Sequence, residues 1–344
     1  MLTTTRLREA TQAQKYLAAW RHSREELFNL SDQSAKRVAS FVREYRAEVD
    51  KILKSFQDDP SAPFSARIAD PFRRSVEQAT EYLGRNASGE AKKSLEAAFD
   101  KGKTIASSSL RDMGLDMFQP ELSPDLLRTL ATSSGNLMTE FAGLAGNKIM
   151  VEVQSGILQL KPSSVVRNSI ERLLRTSDEY KAGKRQRVGL GYQAEEIQRT
   201  ELGRAYSIAN QAATEQIGAT IPGLRKTWIA SAGARQGHSE AASRYAEGGE
   251  IGPIPVDDRF EVTDYSRTGM TSFLTLGKNI KPRFGSVPGM RVIRTQAYQR
   301  GGTLIVDRML HPMDPSASPG NTVMCKCVSV NILPKESPVE VTEE

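Results

Sequence analysis

Apolar residues recur at steps of three and four along much of the chain, which is the spacing of one face of an α-helix. The clearest set of such positions is Val38, Phe41, Tyr45, Val49, Ile52 and Phe56. A similar spacing runs from Arg6 to Asn29, and Leu30-Ser31-Asp32 interrupts it with residues that favour helix caps. We therefore expect residues 1–57 to form an N-terminal helical hairpin.

The same periodicity continues after a proline-rich linker and predicts a helical region over residues 58–190. Asp70-Pro71 is typical of a helix start, and Gly84 predicts its end, with a further helix from Ser88. Another long helix is predicted from about Ala194 to Gln216.

Beyond Gly218 the apolar residues form short runs bounded by turn residues, a pattern that predicts strands. The predicted strands are 228–229, 272–276, 290–293, 304–306 and 328–333. The fold class is therefore α+β, with a mainly helical N-terminal half and a smaller mixed α/β C-terminal domain of short strands. Residues 334–344 lack apolar periodicity and are predicted to be a flexible acidic tail.

Composition indicates a water-soluble chain of 344 residues, 38% hydrophobic and 26% charged. No run has the ~18 apolar residues of a membrane span, and the first residues lack the apolar core of a signal peptide. We expect no membrane insertion and synthesis in a cytoplasm. The formal net charge of +6 is compatible with double-stranded DNA as a partner.

The most basic local run lies between the two predicted halves. It predicts contacts with DNA phosphates or, alternatively, an exposed connection without a ligand. The candidate nucleic-acid residues are Lys181, Lys184, Arg185 and Arg187.

Both cysteines and two of the three histidines lie in the last third of the chain. Cys325 and Cys327 would share one face of a strand, because side chains alternate along a strand. His238 and His311 could then complete a tetrahedral structural zinc site. The alternative is a pair of buried thiols beside a hydrogen-bonded histidine, with no cofactor.

The sequence patterns that would indicate an enzyme are weaker than the pattern that indicates a metal site. His238-Ser239-Glu240 matches the His-x-Glu of zinc deaminases, but the cysteine pair is Cys-x-Cys rather than Cys-x-x-Cys. No nucleophile elbow occurs. We assign no catalytic residue and expect a protein that is not an enzyme.

The motifs of the C-terminal domain resemble, in order, those of phage head-morphogenesis proteins, the minor capsid proteins typified by the F protein of phage Mu. The resemblance starts on the helix that carries Glu196 to Glu201, Ala205, Tyr206 and Asn210. It continues with the Trp228 strand, the turn ending in His238, the Pro312–Pro315 turn and the segment from Asn321 to Cys327. It covers residues 191–333, with an insertion at about 243–302, and this chain has Ala232-Gly233-Ala234 where relatives carry an Asp.

This resemblance implies a structural minor capsid protein of a tailed bacteriophage, located in the virion at the portal vertex. The resemblance implies a role in procapsid assembly and allows a further role in DNA packaging or ejection. The implied partners are the portal protein, the major capsid or scaffold protein and packaged DNA. The alternatives are a Cys/His metal-dependent nucleic-acid enzyme, of nuclease or deaminase type, and an effector delivered to the host.

Overall fold

The computed structural model describes residues 2–111, 120–179, 189–231, 234–265, 274–275, 290–291, 305–323 and 325–332. The helices in this part of the chain are α1 (Leu2–Phe56), α2 (Ala69–Arg111), α3 (Pro124–Leu158), α4 (Ser163–Leu173), α5 (Leu190–Thr220), α6 (Gln236–Arg244) and α7 (Pro319–Thr322). The strands are β1 (Arg225–Ile229), β2 (Ile254–Pro255), β3 (Phe260–Asp264), β4 (Leu274–Thr275), β5 (Met290–Arg291), β6 (Ile305–Met309) and β7 (Val328–Ile332). The predicted α+β class is confirmed. No described helix has the length and continuous hydrophobicity of a bilayer span.

The predicted N-terminal hairpin is wrong, because α1 is one continuous helix over residues 2–56. This stretch contains neither Gly nor Pro, so nothing in it forces a turn. Ser31 is buried within the helix, and Asp32 pairs with Lys36 one turn later at 2.8 Å. Ser31 and Asp32, which resemble a helix cap in sequence, thus lie in the interior of α1.

The predicted helix end at Gly84 and restart at Ser88 are also wrong, because α2 runs through both positions. A Cβ built on Gly84 would lie 3.4 Å from the Cβ of Ala142 on α3. The glycine therefore permits close packing of two helices and does not end one.

The described residues divide into two compact units. The helical unit comprises His22–Lys101 and Ser123–Tyr206, and the sheet unit comprises the described parts of Met1–Arg21, Gly102–Leu122 and Ser207–Glu344. The division lies inside α5, whereas the sequence placed a boundary at residue 190.

The core of the helical unit joins the periodic apolar faces that the sequence indicated. Its larger members include Val38, Tyr45, Val49, Leu53, Phe72, Val76, Leu83, Met138, Phe141, Ile149, Val153, Val166 and Ile170. At about 1.5–3 kcal/mol for each buried large apolar side chain, this burial is the main stabilising term of the unit.

Antiparallel strands build the sheet unit. β1 is the central strand of a three-stranded sheet of order β2-β1-β7, in which Trp228 lies opposite Ser329. β3 pairs with β6, and β4 pairs with β5. Every strand predicted from sequence contains or overlaps one of these strands, whereas β2, β3 and α6 were not predicted.

β2 and β3 lie in the predicted insertion, yet they pair with strands outside it, β1 and β6. They are therefore integral to the sheets of this unit. The basic run of residues 181–187 and the predicted tail of residues 334–344 lie outside the described residues.

Candidate metal centre

His238 is placed by a close contact between α6 and β3. It lies in the first turn of α6, next to Gly237. A Cβ on Gly237 would overlap the carbonyl oxygen of Thr263 on β3, so only glycine lets the helix approach this strand. The approach buries the imidazole, which is 1% exposed.

The two thiols lie in the segment that precedes β7. Residues 325–327 are not part of a strand, because the β1–β7 ladder ends at the pair Ile229 and Val328. The predicted strand position of the cysteines is therefore wrong. The backbone N–H of Cys327 donates to Cys325 Sγ at 3.4 Å. Both sulfur atoms lie beside the same nitrogen of His238.

Three of the four predicted metal ligands converge. His238 Nδ1 lies 3.2 Å from Cys327 Sγ and 3.4 Å from Cys325 Sγ. All three side chains are buried, and their ligand atoms lie within 4.8 Å of one another. These residues, here called the His-Cys-Cys cluster, could hold a metal ion.

His311, the fourth predicted ligand, does not join the cluster. Its Nδ1 lies 2.8 Å from the carbonyl oxygen of Pro312, next in the chain, and bonds there. Burial lowers the pKa of His311, so its ring stays neutral near pH 7. The prediction was wrong because the scarcity of histidine and cysteine in a sequence does not indicate where their side chains point in the folded chain.

Asn321 fixes the orientation of the His238 ring. Its Nδ2 donates to the carbonyl oxygen of Val262 at 3.1 Å and to Asp307 at 2.8 Å. Its Oδ1 therefore faces His238 Nε2, 3.1 Å away. Asn321 belongs to one of the sequence motifs, but no role in the site was predicted for it.

Asp307 and Asp264 meet at Ser318, behind Asn321. The hydroxyl of Ser318 lies 2.5 Å from an Asp264 oxygen and 2.6 Å from an Asp307 oxygen. The Ser318 backbone N–H also donates to Asp307 at 3.1 Å. This polar network holds the amide of Asn321, and nothing in the sequence pattern indicated it.

An aromatic wall closes another side of the cluster. Trp228 packs edge-on against the His238 ring, with ring centroids 5.5 Å apart, and against Phe260 at 5.3 Å. Tyr245 continues the wall at 4.9 Å from Phe260. Trp228 thus covers one edge of the imidazole with apolar surface.

The thiols have opposite pKa shifts. The hydrogen bond from Cys325, followed by the contact with His238, lowers the pKa of Cys327 to about 5. Burial raises the pKa of Cys325 well above its usual value. The two shifts go in opposite directions because the thiols are hydrogen-bonded to each other, and the thiolate form of either is the one that binds metals.

Lys226 is a second buried polar feature that the sequence analysis missed. It is 0% exposed, and its Nζ donates to the carbonyl oxygen of Leu310 at 2.7 Å and to Gln211 Oε1 at 3.2 Å. The amine lies 5.2 Å from the centroid of the Phe260 ring. Burial lowers the pKa of Lys226 to about 7.

Comparison with known proteins adds no relative. No family model matches the chain, and no curated protein or solved structure matches it.

Proposed function

We propose that this chain is a structural minor capsid protein of a tailed bacteriophage, which acts in head morphogenesis at the portal vertex. The observation that supports the proposal is the convergence of the side chains on which the sequence resemblance rests. His238 packs on Trp228, bonds to Asn321 and adjoins both thiols. Motifs that are far apart in sequence thus form one cluster.

Other residues on which the sequence resemblance rests hold α5 and the Pro312–Pro315 turn in place. Asn210 on α5 donates to the backbone oxygen of Ser329 on β7 at 3.0 Å. Asp314 accepts from the N–H of Leu310 at 2.7 Å and from the N–H of Ser316 at 2.9 Å, which closes the Pro-x-Asp-Pro turn. Asn210 and Asp314 thus each have a structural role within the sheet unit.

Burial favours a structural role over turnover. His238 is 1% exposed and Cys327 is 3% exposed, so a substrate could reach neither group without local opening. An enzyme needs its reacting groups within hydrogen-bond reach of the substrate. In the proposed role the protein is therefore not an enzyme.

The proposed partners are the portal protein and the major capsid or scaffold protein. We assign their binding to the helical unit, because it offers long helices for docking. The net charge of +6 suits a position beside packaged double-stranded DNA. In this role the chain is made in the host cytoplasm and carried in the virion head.

The test is the location of the chain in phage particles. Heads are purified from a phage that carries an epitope-tagged copy, then disrupted, and the portal rings are isolated. We expect the chain at low copy on these rings, and its loss from heads assembled without portal. A chain abundant in the lysate but missing from purified heads contradicts the proposal.

A metal-dependent nucleic-acid enzyme is the second candidate. The observation in its favour is the donor set, because one imidazole and two cysteines hold the zinc of nucleobase deaminases. Their general acid–base glutamate would correspond to Glu240. Here Glu240 accepts from Gln236 at 2.8 Å and from the Tyr265 hydroxyl at 2.7 Å, so both of its oxygens are engaged.

Activity assays separate the two candidates. Zinc-supplemented protein is incubated with cytidine, single-stranded DNA and duplex DNA, with Glu240→Gln as the matched variant. The structural proposal expects no deamination and no cleavage by either protein. Turnover that requires zinc and is abolished by Glu240→Gln would establish the enzyme instead.

A further inference from the structure

We propose that His238 Nδ1, Cys325 Sγ and Cys327 Sγ together bind one divalent ion of the zinc class. The inference rests on local geometry and does not depend on a role in a phage head. Thiolate and imidazole ligands select zinc and related soft ions over magnesium and calcium, which prefer oxygen ligands.

The proton positions on His238 favour a metal. Asn321 Oδ1 can only accept a hydrogen bond, so His238 Nε2 carries a proton and donates it to this oxygen. Nδ1 is therefore the nitrogen available to an ion, which would take the place of the proton shared between Nδ1 and the two sulfur atoms. A neighbour that binds the second nitrogen in this way is typical of metal-ligating histidines.

The interatomic distances fit the edges of a coordination tetrahedron. With Zn–S of about 2.3 Å and Zn–N of about 2.0–2.1 Å, tetrahedral angles put sulfur and nitrogen about 3.6 Å apart. The two sulfur-to-Nδ1 distances are 3.2 and 3.4 Å. Side-chain shifts of a few tenths of an ångström would bring both sulfur-to-nitrogen distances to this value.

Charge balance explains how such a buried site can hold a dication. Binding of the ion displaces to solvent the protons that the two thiols and Nδ1 hold, so two thiolates balance the charge of 2+. The imidazole adds no charge, and the occupied site is neutral overall. A buried neutral assembly avoids the large desolvation cost of an isolated ion.

Competing roles for the three groups fit less well. A nucleophilic Cys327 with His238 as its base would need room for a substrate at the sulfur, yet Cys325 Sγ adjoins the same nitrogen. Within the described residues no fourth Cys, His, Asp or Glu joins the cluster. Three protein ligands leave one coordination position for a water molecule or another group.

Metal analysis of the full chain is the first experiment. The untagged protein is purified from zinc-containing medium, and zinc is measured by mass spectrometry. We expect about one zinc per chain. Replacement by Co²⁺ should give a thiolate-to-cobalt charge-transfer band and the strong visible absorption of tetrahedral cobalt. X-ray absorption at the zinc edge should fit two sulfur ligands and at least one nitrogen.

Variants test each ligand. Cys325→Ser, Cys327→Ser and His238→Gln should each abolish the cobalt band, and His311→Gln, the matched control, should bind as the wild type does. Asn321→Ala keeps all three ligands but loses the orienting bond, so its zinc affinity should fall by about 10–100-fold. Circular dichroism monitors folding of every variant.

Three results would overturn the proposal. One is a folded wild-type protein that neither contains zinc nor takes up Co²⁺ after reduction. Another is wild-type affinity in both cysteine variants. The third is oxygen-only coordination of zinc in the X-ray absorption spectrum of the wild type, which would exclude the thiols as ligands. This measurement decides the question even if the variants fail to fold.

Discussion

The two ring nitrogens of His238 have different surroundings, and this difference gives the cluster its chemistry. Nε2 bonds to Asn321, whose amide is held by Val262 and Asp307, while Nδ1 faces sulfur. The preceding residue, Gly237, lets α6 approach β3 closely enough for this arrangement. The site thus depends on residues that are not themselves ligands.

Gly237→Ala should destabilise the sheet unit. The added methyl group would overlap the Thr263 carbonyl oxygen, and backbone cannot move aside as a flexible side chain can. We expect a loss of about 1–3 kcal/mol in the free energy of unfolding and weaker zinc binding. Urea unfolding and cobalt titration measure the two effects.

Gly89→Ala is the matched control for this substitution. Gly89 lies inside α2 with open space around its Cβ position. Alanine should therefore stabilise the helix by about 0.5–1 kcal/mol. Equal effects of the two substitutions would contradict the assigned role of Gly237.

Lys226 should make stability depend on pH. Its folded pKa of about 7 lies below the unfolded value of about 10.4, so between these values the unfolded chain binds a proton that the folded chain does not. The free energy of unfolding should therefore rise from pH 7 to pH 10.4, by on the order of a few kcal/mol at most, with the destabilisation fully present below pH 7.

Lys226→Met tests this dependence. Relative to the methionine variant, the wild type should gain stability steadily over that pH range in urea titrations. The control is Lys51→Met, whose side chain is 79% exposed and should leave the pH profile unchanged. Parallel profiles for the wild type and Lys226→Met would show that the buried amine stays charged.

Among the elements, α1 shows how a cap-like sequence can lie inside a helix. Gln33→Pro distinguishes the continuous helix from a hairpin. In a hairpin capped at Asp32, residue 33 would be the first helical position, where proline is well tolerated. In the continuous helix proline should cost about 3 kcal/mol or more, seen as a lower denaturation midpoint.

Gln33→Ala is the companion to this variant. Gln33 is exposed, so alanine should leave stability unchanged or raise it slightly. A proline variant as stable as the alanine variant would restore the hairpin interpretation.

At the scale of the whole molecule, we expect metal removal to affect the sheet unit and not the helical unit, and hydrogen exchange can measure this difference. Chelation should lower hydrogen-exchange protection in β1, α6 and β7. His238 lies in α6 and packs against Trp228 of β1, and the two cysteines immediately precede β7. The core of the helical unit, which includes Val49, Phe72 and Ile149, should keep its protection.

The control for this exchange experiment is the Cys325→Ser and Cys327→Ser double variant, which should not respond to the chelator. Loss of protection throughout the helical unit on chelation of the wild type would show that the ion stabilises more than the sheet unit.

Sequence periodicity identified the helices by type but misplaced their ends. The apolar steps through Val38, Tyr45 and Val49 describe a buried face correctly, since a helix face is a local property of sequence. Ser31-Asp32 and Gly84 were misjudged as boundaries, because Ser31 is buried in the continuous helix α1 and Gly84 packs against α3. β3 was missed because it has no continuous apolar run, although the alternation of Phe260, Glu261, Val262 and Thr263 is typical of a half-buried strand.

What the sequence determined by itself was the fold class, the buried helix faces, the strand at Trp228 and the residue types able to bind a soft metal. All of these follow from the order and spacing of side chains along short segments. Only the tertiary structure decided that His238 meets Cys325 and Cys327 while His311 bonds to its own chain neighbour. Ligand geometry depends on the directions of side chains from separate elements, and the packing of α6 on β3 fixes those directions.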